Sequence, residues 1–151
     1  MSGFTKGLRT SLTPEWTTPR DLFDELDREF HFTLDVASTD ENALCERHYT
    51  KSDDGLVSPW TGAVWCNPPY GREIVKWVKR AAQTNEGGVN VCLVPARTDT
   101  AWWHDWVVGH ATEVRFIRGR LRFGNSKSGA PFPSAVVVYD KRPKRYWSVC
   151  V

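Results

Sequence analysis

The segment Val64-Trp65-Cys66-Asn67-Pro68-Pro69-Tyr70-Gly71 concentrates the residue types best suited to chemistry. A short apolar run is followed at once by a primary amide, two prolines and a phenol ring. Proline fixes φ and has no N–H, so two in succession end a strand and stiffen the turn. Asn67 and Pro68 then offer carbonyl oxygens, and Tyr70 a flat ring, from the end of that strand. In open α/β sheets ligands bind at such strand ends. Two acceptors and an aromatic face suit a planar heterocycle that carries an amino group. The oxygens take the NH₂ hydrogens while the ring stacks on the heterocycle.

The tetrapeptide Asn67-Pro68-Pro69-Tyr70 resembles the motif of amino-methyltransferases that use S-adenosylmethionine. Those enzymes methylate adenine N6, cytosine N4 or an amide nitrogen. A Pro-Pro pair alone reads as a structural turn. The full tetrapeptide after an apolar strand favours function.

If the motif holds a substrate amine, a methyl donor must lie beside it. The first βα turn of a doubly wound sheet is the expected place. Here that turn is Leu34-Asp35-Val36-Ala37-Ser38. Asp35 is an acid inside an apolar strand, where an unpaired charge is costly. It either pairs with a cationic cofactor or accepts from local backbone N–H groups. Ala37 and Ser38 are small and allow a ligand close to the backbone. The chain lacks a G-x-G pattern at this turn.

Around these residues the hydrophobic periodicity predicts the scaffold. Leu22, Phe23, Leu26 and Phe30 form the stripe of a helix, with Thr18 as N-cap, Pro19 as first helical residue and Asp21 in the first turn. Residues 32–37 alternate like a strand, and 41–49 are expected to form a short helix. Asp54-Gly55 marks a turn in a polar loop. A strand over 63–66 precedes the motif, and Ile74, Val75, Trp77, Val78 and Ala81 define a helix over 73–84. A buried strand over 89–94, a Trp-rich helix over 99–108, strands over 113–117, 120–123 and 134–139, and a basic tail complete the chain. Alternating strands and helices imply a mostly parallel sheet covered on both faces. The closely spaced strands near the end imply an antiparallel pair at one edge. That layout resembles the one expected of a small Rossmann-like α/β methyltransferase.

A length of 151 residues fits one domain, and 40% apolar with 25% charged residues is ordinary globular composition. Residues 1–12 are expected to be flexible, leaving 13–151 as a single domain with no room for a separate target-recognition domain. No apolar run is long enough for a membrane span, and no signal-peptide pattern is present. Cys45, Cys66, Cys92 and Cys150 contain no C-x-x-C pair and read as buried free thiols, which favours a cytoplasmic chain. His31, His48, His104 and His110 show no metal-ligand spacing with them, so no metal is expected.

The net charge of +2 hides an asymmetry. Residues 115–145 hold nine basic residues against Asp140 alone, a net of +8, which leaves −6 for the rest of the chain. A basic third beside a base-holding motif points to nucleic acid as partner. Arg118, Arg120 and Arg122 alternate and would share one face of a strand. With Lys127 they are the candidates for DNA contact. Arg97 either joins them, closes the pocket or makes a surface salt bridge.

Taken together, several separated segments are similar in order to the phage-type DNA N6-adenine methyltransferases. These are Trp16-Thr17-Thr18-Pro19, Leu34 to Ser38 with Asn42 and Cys45, Asp54-Gly55-Leu56 with Trp60, and Trp65 to Gly71. Val94 to Thr100 with Trp102-Trp103-His104, Arg118 to Phe123, and Pro131 to Ser134 continue the series. The resemblance spans about residues 14–140 and implies a class I S-adenosylmethionine-dependent fold. It implies that Thr17, Thr18 and Pro19 contact the methionine part of the cofactor and that Asp35, Ala37, Ser38 and Asn67 line its pocket. Asp54 would lie near the cofactor's adenine, or is a turn residue only. Asn67, Pro68, Pro69 and Tyr70 would be the catalytic motif, acting on a flipped adenine of double-stranded DNA. A phage or prophage origin, a bacterial host cytoplasm and protection from restriction follow from the same resemblance. An amino-methyltransferase of RNA or protein, and a non-catalytic nucleic-acid-binding module on a degenerate fold, are the competing readings.

Overall fold

A computed structural model of the chain describes residues 16–84 and 87–144. The expected flexible segment 1–12, Cys150 and Arg145 of the basic tail lie outside them. Helix α1 (Arg20–Phe30) leads to strand β1 (Leu34–Asp35), and a long loop reaches β2 (Ala63–Cys66). Helix α2 (Ile74–Gln83), strand β3 (Val89–Pro95), a π-helical turn (Trp103–Val108), β4 (Glu113–Phe116) and β5 (Ser134–Tyr139) follow.

The strands form one open sheet in the order β1-β2-β3-β5-β4. β1, β2 and β3 pair in parallel. β5 runs antiparallel to β3 and to β4, so the last two strands make the antiparallel pair at that edge. Period-2 alternation splits the core into two layers. Val64, Cys66, Cys92, Val94, Val137 and Tyr139 face α2 and the π-helical turn, meeting Ile74, Trp77, Val78, Ala81, Trp103 and Val107. Trp65, Val91, Leu93, Val136 and Val138 face α1, meeting Leu22, Phe23 and Leu26. Cys66 and Cys92 are register partners and free, and burial pushes the Cys66 thiol well up.

Several expected elements differ. The α1 N-cap is Pro19 rather than Thr18, and no side chain caps it; the Thr18 hydroxyl instead accepts from Asn67. The strand expected over 32–37 is regular only at 34–35, although Val36 N–H still donates to Trp65 O at 3.1 Å. The helix expected over 41–49 does not form. Leu44 N–H donates to the Asp35 carboxylate, and Arg47 and Tyr49 exchange backbone hydrogen bonds with Asp35. That segment therefore runs beside β1 as a single bridge at His48. The strand expected over 120–123 is also absent. Gly119 turns with φ 75°, Ala130 N–H donates to Leu121 O, and Gly124 N–H donates to Thr17 O. Arg118, Arg120 and Arg122 therefore sit in an irregular segment and share no strand face.

Arg115 and Arg142, two of the nine basic residues, form ion pairs that serve the fold. The Arg115 guanidinium binds Glu29 and Glu113, and packs 5.2 Å from the Phe30 ring centre. Arg142 binds Asp140 and Glu113. Burial pushes the Glu113 carboxyl up, but Arg115 and Arg142 outweigh it and hold it below its ordinary value. A depressed carboxyl contributes stability above its unfolded value of about 4.3 and loses it as pH falls through the folded value. Arg115→Ala should cost about 2 kcal/mol at neutral pH, since it leaves Glu113 buried beside one partner. Urea denaturation at pH 7 and at pH 3 checks this, with a smaller difference expected at pH 3.

Candidate active site

β1 and β2 are parallel, with Leu34 beside Val64 and Asp35 beside Trp65. Their carboxyl ends deliver residues 35–38 and 67–70 to one rim. A cavity of about 590 Å³ opens there, lined by Trp16, Thr17, Thr18, residues 35–39, Asp54, Gly55, Leu56, Asn67, Pro68 and Pro69 among others. Small-molecule sites typically span about 300–1,000 Å³.

Asn67 organises this rim. Its Nδ2 donates to the main-chain oxygen of Trp16 and, at 3.0 Å, to Oγ1 of Thr18. Both amide hydrogens are thereby engaged, which settles which end of the amide is oxygen. Oδ1 is buried and has no hydrogen-bond partner among the described residues. An unsatisfied buried acceptor costs about 1–3 kcal/mol, so its retention suits a ligand-binding role.

Asp35 is only 3% exposed. Its carboxylate accepts from the Ala37 N–H at 3.3 Å and the Leu44 N–H at 3.0 Å. Burial raises its pKa, with those two donors opposing the rise. Asp35 therefore satisfies itself through local backbone and also lines the cavity. Its second donor folds the 39–44 segment over the rim. Asp54 is a turn residue that also borders the cavity. It takes the left-handed region at φ 55°, accepts from Leu56 N–H at 3.1 Å, and lines the cavity.

Thr17, Thr18, Asp35, Ala37, Ser38, Asp54 and Asn67 all border the cavity, whereas Pro19 does not. Pro19 instead starts α1, where its carbonyl accepts from Phe23 N–H. Sequence reasoning missed Tyr49, Thr50, Lys51, Glu73 and Trp77 as lining residues. The first three arrive through the bridge beside β1, which leaves no pattern in sequence. Trp77 is the cavity-facing member of the α2 stripe, so periodicity alone marks it only as core.

Tyr70 is placed differently from its neighbours in the motif. Its ring does not line the cavity. It packs among Trp16, Phe123 and Phe132, and its hydroxyl donates to Leu93 O at 3.3 Å. Burial pushes the phenol far up, so it stays neutral.

Arg118, Arg122 and Lys127 are exposed and have no hydrogen-bond or ion-pair partner among the described residues. The Arg120 guanidinium donates to Ala130 O at 3.4 Å. The exposed Arg97 lies 5.7 Å from the centre of the Phe132 ring, at the border of the aromatic group. The Gly124–Thr17 hydrogen bond ties the basic segment to residues 16–18, a strap that borders the cavity ahead of α1. The five candidates for DNA contact thus belong to segments around the aromatic end of the site, while Arg115 is turned to the fold. No group of three or more His, Cys, Asp or Glu among the described residues is placed to hold a metal ion.

A family model described as DNA N-6-adenine-methyltransferase (Dam) matches residues 7–142. The chain belongs to this family. The Dam match includes the strap, the β1 turn, the Asn-Pro-Pro-Tyr turn and the basic segment. A protein of Escherichia phage T1 named DNA N-6-adenine-methyltransferase is 31% identical over 132 residues, covering 76% of this chain and 55% of the phage protein. YfdM of Escherichia coli (strain K12), described as a candidate methyltransferase, is 34% identical over 64 residues, covering 37% of this chain and 70% of YfdM. The chain thus spans about half the length of its phage T1 relative. A crystal structure from Listeria monocytogenes, described as a candidate class I S-adenosylmethionine-dependent methyltransferase, superposes with a TM-score of 0.47. It shares 12% identity and covers 82% of this chain and 51% of its own.

Gly55 holds the cavity floor of this Dam-family chain. A Cβ there would sit 2.2 Å from Val36 O and 2.8 Å from the Trp77 ring, while Gly55 O accepts from the Trp60 indole at 2.7 Å. Gly55→Ala must displace backbone at the end of β1. It should lower stability by about 1–3 kcal/mol, as read by thermal melts.

Proposed function

We propose that the protein transfers the methyl group of S-adenosylmethionine to N6 of adenine in double-stranded DNA. Membership of the Dam family supports the reaction. The single observation that carries the residue assignment is the buried, unpartnered Oδ1 of Asn67 at the cavity rim.

The cavity suits the cofactor in size and in chemistry. Thr17 and Thr18 offer hydroxyls and backbone to its polar end. The Asp35 turn, with Ala37 and Ser38, gives close backbone approach, and Asp54 with Leu56 borders the far wall. When bound, the cofactor supplies an electrophilic methyl group.

The rest of the reaction falls to the chain's own groups. A duplex base cannot reach the cavity, so the target adenine is taken out of the stack. Its N6 amino group donates to Asn67 Oδ1 and to the carbonyl of Pro68. As the nitrogen becomes tetrahedral its hydrogens gain positive charge, and both bonds strengthen. Fixed acceptors aimed at a developing charge lower the barrier without reorganising. The two hydrogen bonds on Nδ2 keep Oδ1 aimed, so the orientation exists before substrate arrives. Tyr70 contributes its ring face, and its neutral, hydrogen-bonded phenol rules it out as a general base. The N6 proton leaves after methyl transfer, when the nitrogen is strongly acidic, so no dedicated base is required.

Arg118, Arg122 and Lys127 contact phosphates in this reading, with Arg120 and Arg97 nearer the extruded base. Replacing Arg118, Arg122 or Lys127 by Ala should each lower the slope of log affinity against log salt by about one. Arg115→Ala should leave that slope unchanged.

Asn67→Ala should lower single-turnover methylation of adenine in DNA by about 10²–10³-fold, the usual effect of removing one aimed polar group. Cofactor affinity should fall as well, because Nδ2 no longer holds residues 16–18 beside the cavity, so single turnover is read at saturating cofactor. Turnover close to that of the unaltered protein, with intact fold, would refute the assignment.

A further inference from the structure

Stacking of a base on Tyr70, as proposed above, meets an obstacle. The rings of Trp16, Tyr70, Phe123 and Phe132 form a closed group in which every pair is in contact. Trp16 lies 6.1 Å from Tyr70 at an interplanar angle of 24°. Phe123 and Phe132 meet Tyr70 steeply, at 89° and 74°. They meet Trp16 in the same way, at 5.3 and 5.2 Å, and each other at 6.0 Å. The indole is thus the ring that lies nearly parallel to Tyr70 between two edge-on walls. A planar base stacked on Tyr70 would adopt that arrangement.

One of the four rings must yield before a base can enter, and the structure distinguishes them. Phe123 and Phe132 are 4% and 6% exposed and belong to the core layer under α1. Tyr70 is tied through its hydroxyl to Leu93 O. Trp16 is half-buried and lies outside any helix or strand, and its indole N–H has no hydrogen-bond partner among the described residues. Its main chain, in contrast, is held. Trp16 O accepts from Asn67 Nδ2, and Thr17 O accepts from Gly124 N–H at 2.9 Å. Rotation about the side-chain bonds of Trp16 therefore clears Tyr70 while Asn67 stays oriented and the cofactor-bordering strap stays in place.

We propose that Trp16 is a plug of the base site. Its indole fills the target base's place on Tyr70 and swings aside when a base enters. This rests on the reading of Tyr70 as the stacking surface. The plug keeps the apolar site dry in the absence of DNA. It also reduces the apparent affinity for every base by the fraction of molecules in the open state.

The test uses 2-aminopurine 2′-deoxynucleoside as a soluble probe of the Tyr70 face, with stacking read as fluorescence quenching. The unaltered protein, Trp16→Ala, Trp16→Phe and Tyr70→Ala are titrated in the presence of S-adenosylhomocysteine. Trp16→Ala should bind the probe on the order of tenfold more tightly than the unaltered protein, since ring contacts no longer compete. Trp16→Phe should fall between them, and Tyr70→Ala should remove the binding. Equal or weaker binding by Trp16→Ala, with melting temperature and cofactor affinity retained, would overturn the plug and make the indole a wall that holds the base. Absence of quenching in all four proteins would overturn it too. Should Trp16→Ala not fold, Trp16→Phe decides by the same criterion. Methylation of DNA adenine by the unaltered protein is measured alongside. Its absence would overturn the adenine reading, while the titration still decides the plug.

Discussion

The side-chain amide of Asn67 joins three parts of the molecule. Its backbone ends β2, its Nδ2 holds the strap at Trp16 and Thr18, and its Oδ1 stays unpartnered at the cavity rim. Residues 16 and 67 are remote in sequence, so these bonds close a large loop. They also remove the one ambiguity of an amide, which is the choice of end presented to a ligand. The start of α1 meanwhile has no side-chain cap, its N-cap being Pro19 while the Thr18 hydroxyl accepts from Asn67. An N-cap contributes about 1 kcal/mol, and an orphaned acceptor costs a similar amount or more. Two local losses at one position fit a site that gives up stability for geometry.

The parallel pairing of β1, β2 and β3 explains why these groups meet. Parallel strands present their carboxyl ends on one rim, so the Asp35 turn and the Asn-Pro-Pro-Tyr turn become neighbours without further design. The reversed β5 brings Phe132 and Ser134 to the same rim from the opposite direction, beside Pro95 at the end of β3. The aromatic group at that end therefore draws on the strap, β2, and the segments before β5. The cavity and the aromatic group lie on either side of the Asn67 turn. Trp16 belongs to both, because its carbonyl is held by Asn67 while its ring lies against Tyr70.

Much of this was legible in the sequence because it rests on short-range rules. The helical stripe of Leu22, Phe23 and Leu26, the strands at 63–66 and 134–139, and the stop at Pro68-Pro69 follow from periodicity and from proline. The cavity-lining positions of Ala37 and Ser38 were legible from their small size in the first βα turn, whereas that of Thr17 came from family resemblance. What failed depends on long-range partners. Residues 41–49 carry a helical pattern, yet the Asp35 carboxylate and its backbone claim Leu44, Arg47 and Tyr49. Residues 120–123 alternate like a strand, yet Ala130 takes the Leu121 carbonyl, Thr17 takes the N–H of the following Gly124, and Gly119 turns the chain away. The motif suggested an open face on Tyr70, and no local rule announces that Trp16 covers it.

The central claim is that this site moves a methyl group to the exocyclic nitrogen of adenine. The most direct measurement incubates methylation-free double-stranded DNA with the protein and S-adenosylmethionine carrying a deuterated methyl group, then reads the nucleosides by mass spectrometry. The account predicts deuteromethyl on N6 of deoxyadenosine and on no other nucleoside. Label on the amino group of cytosine, or no label from a protein shown to bind the cofactor, would contradict it.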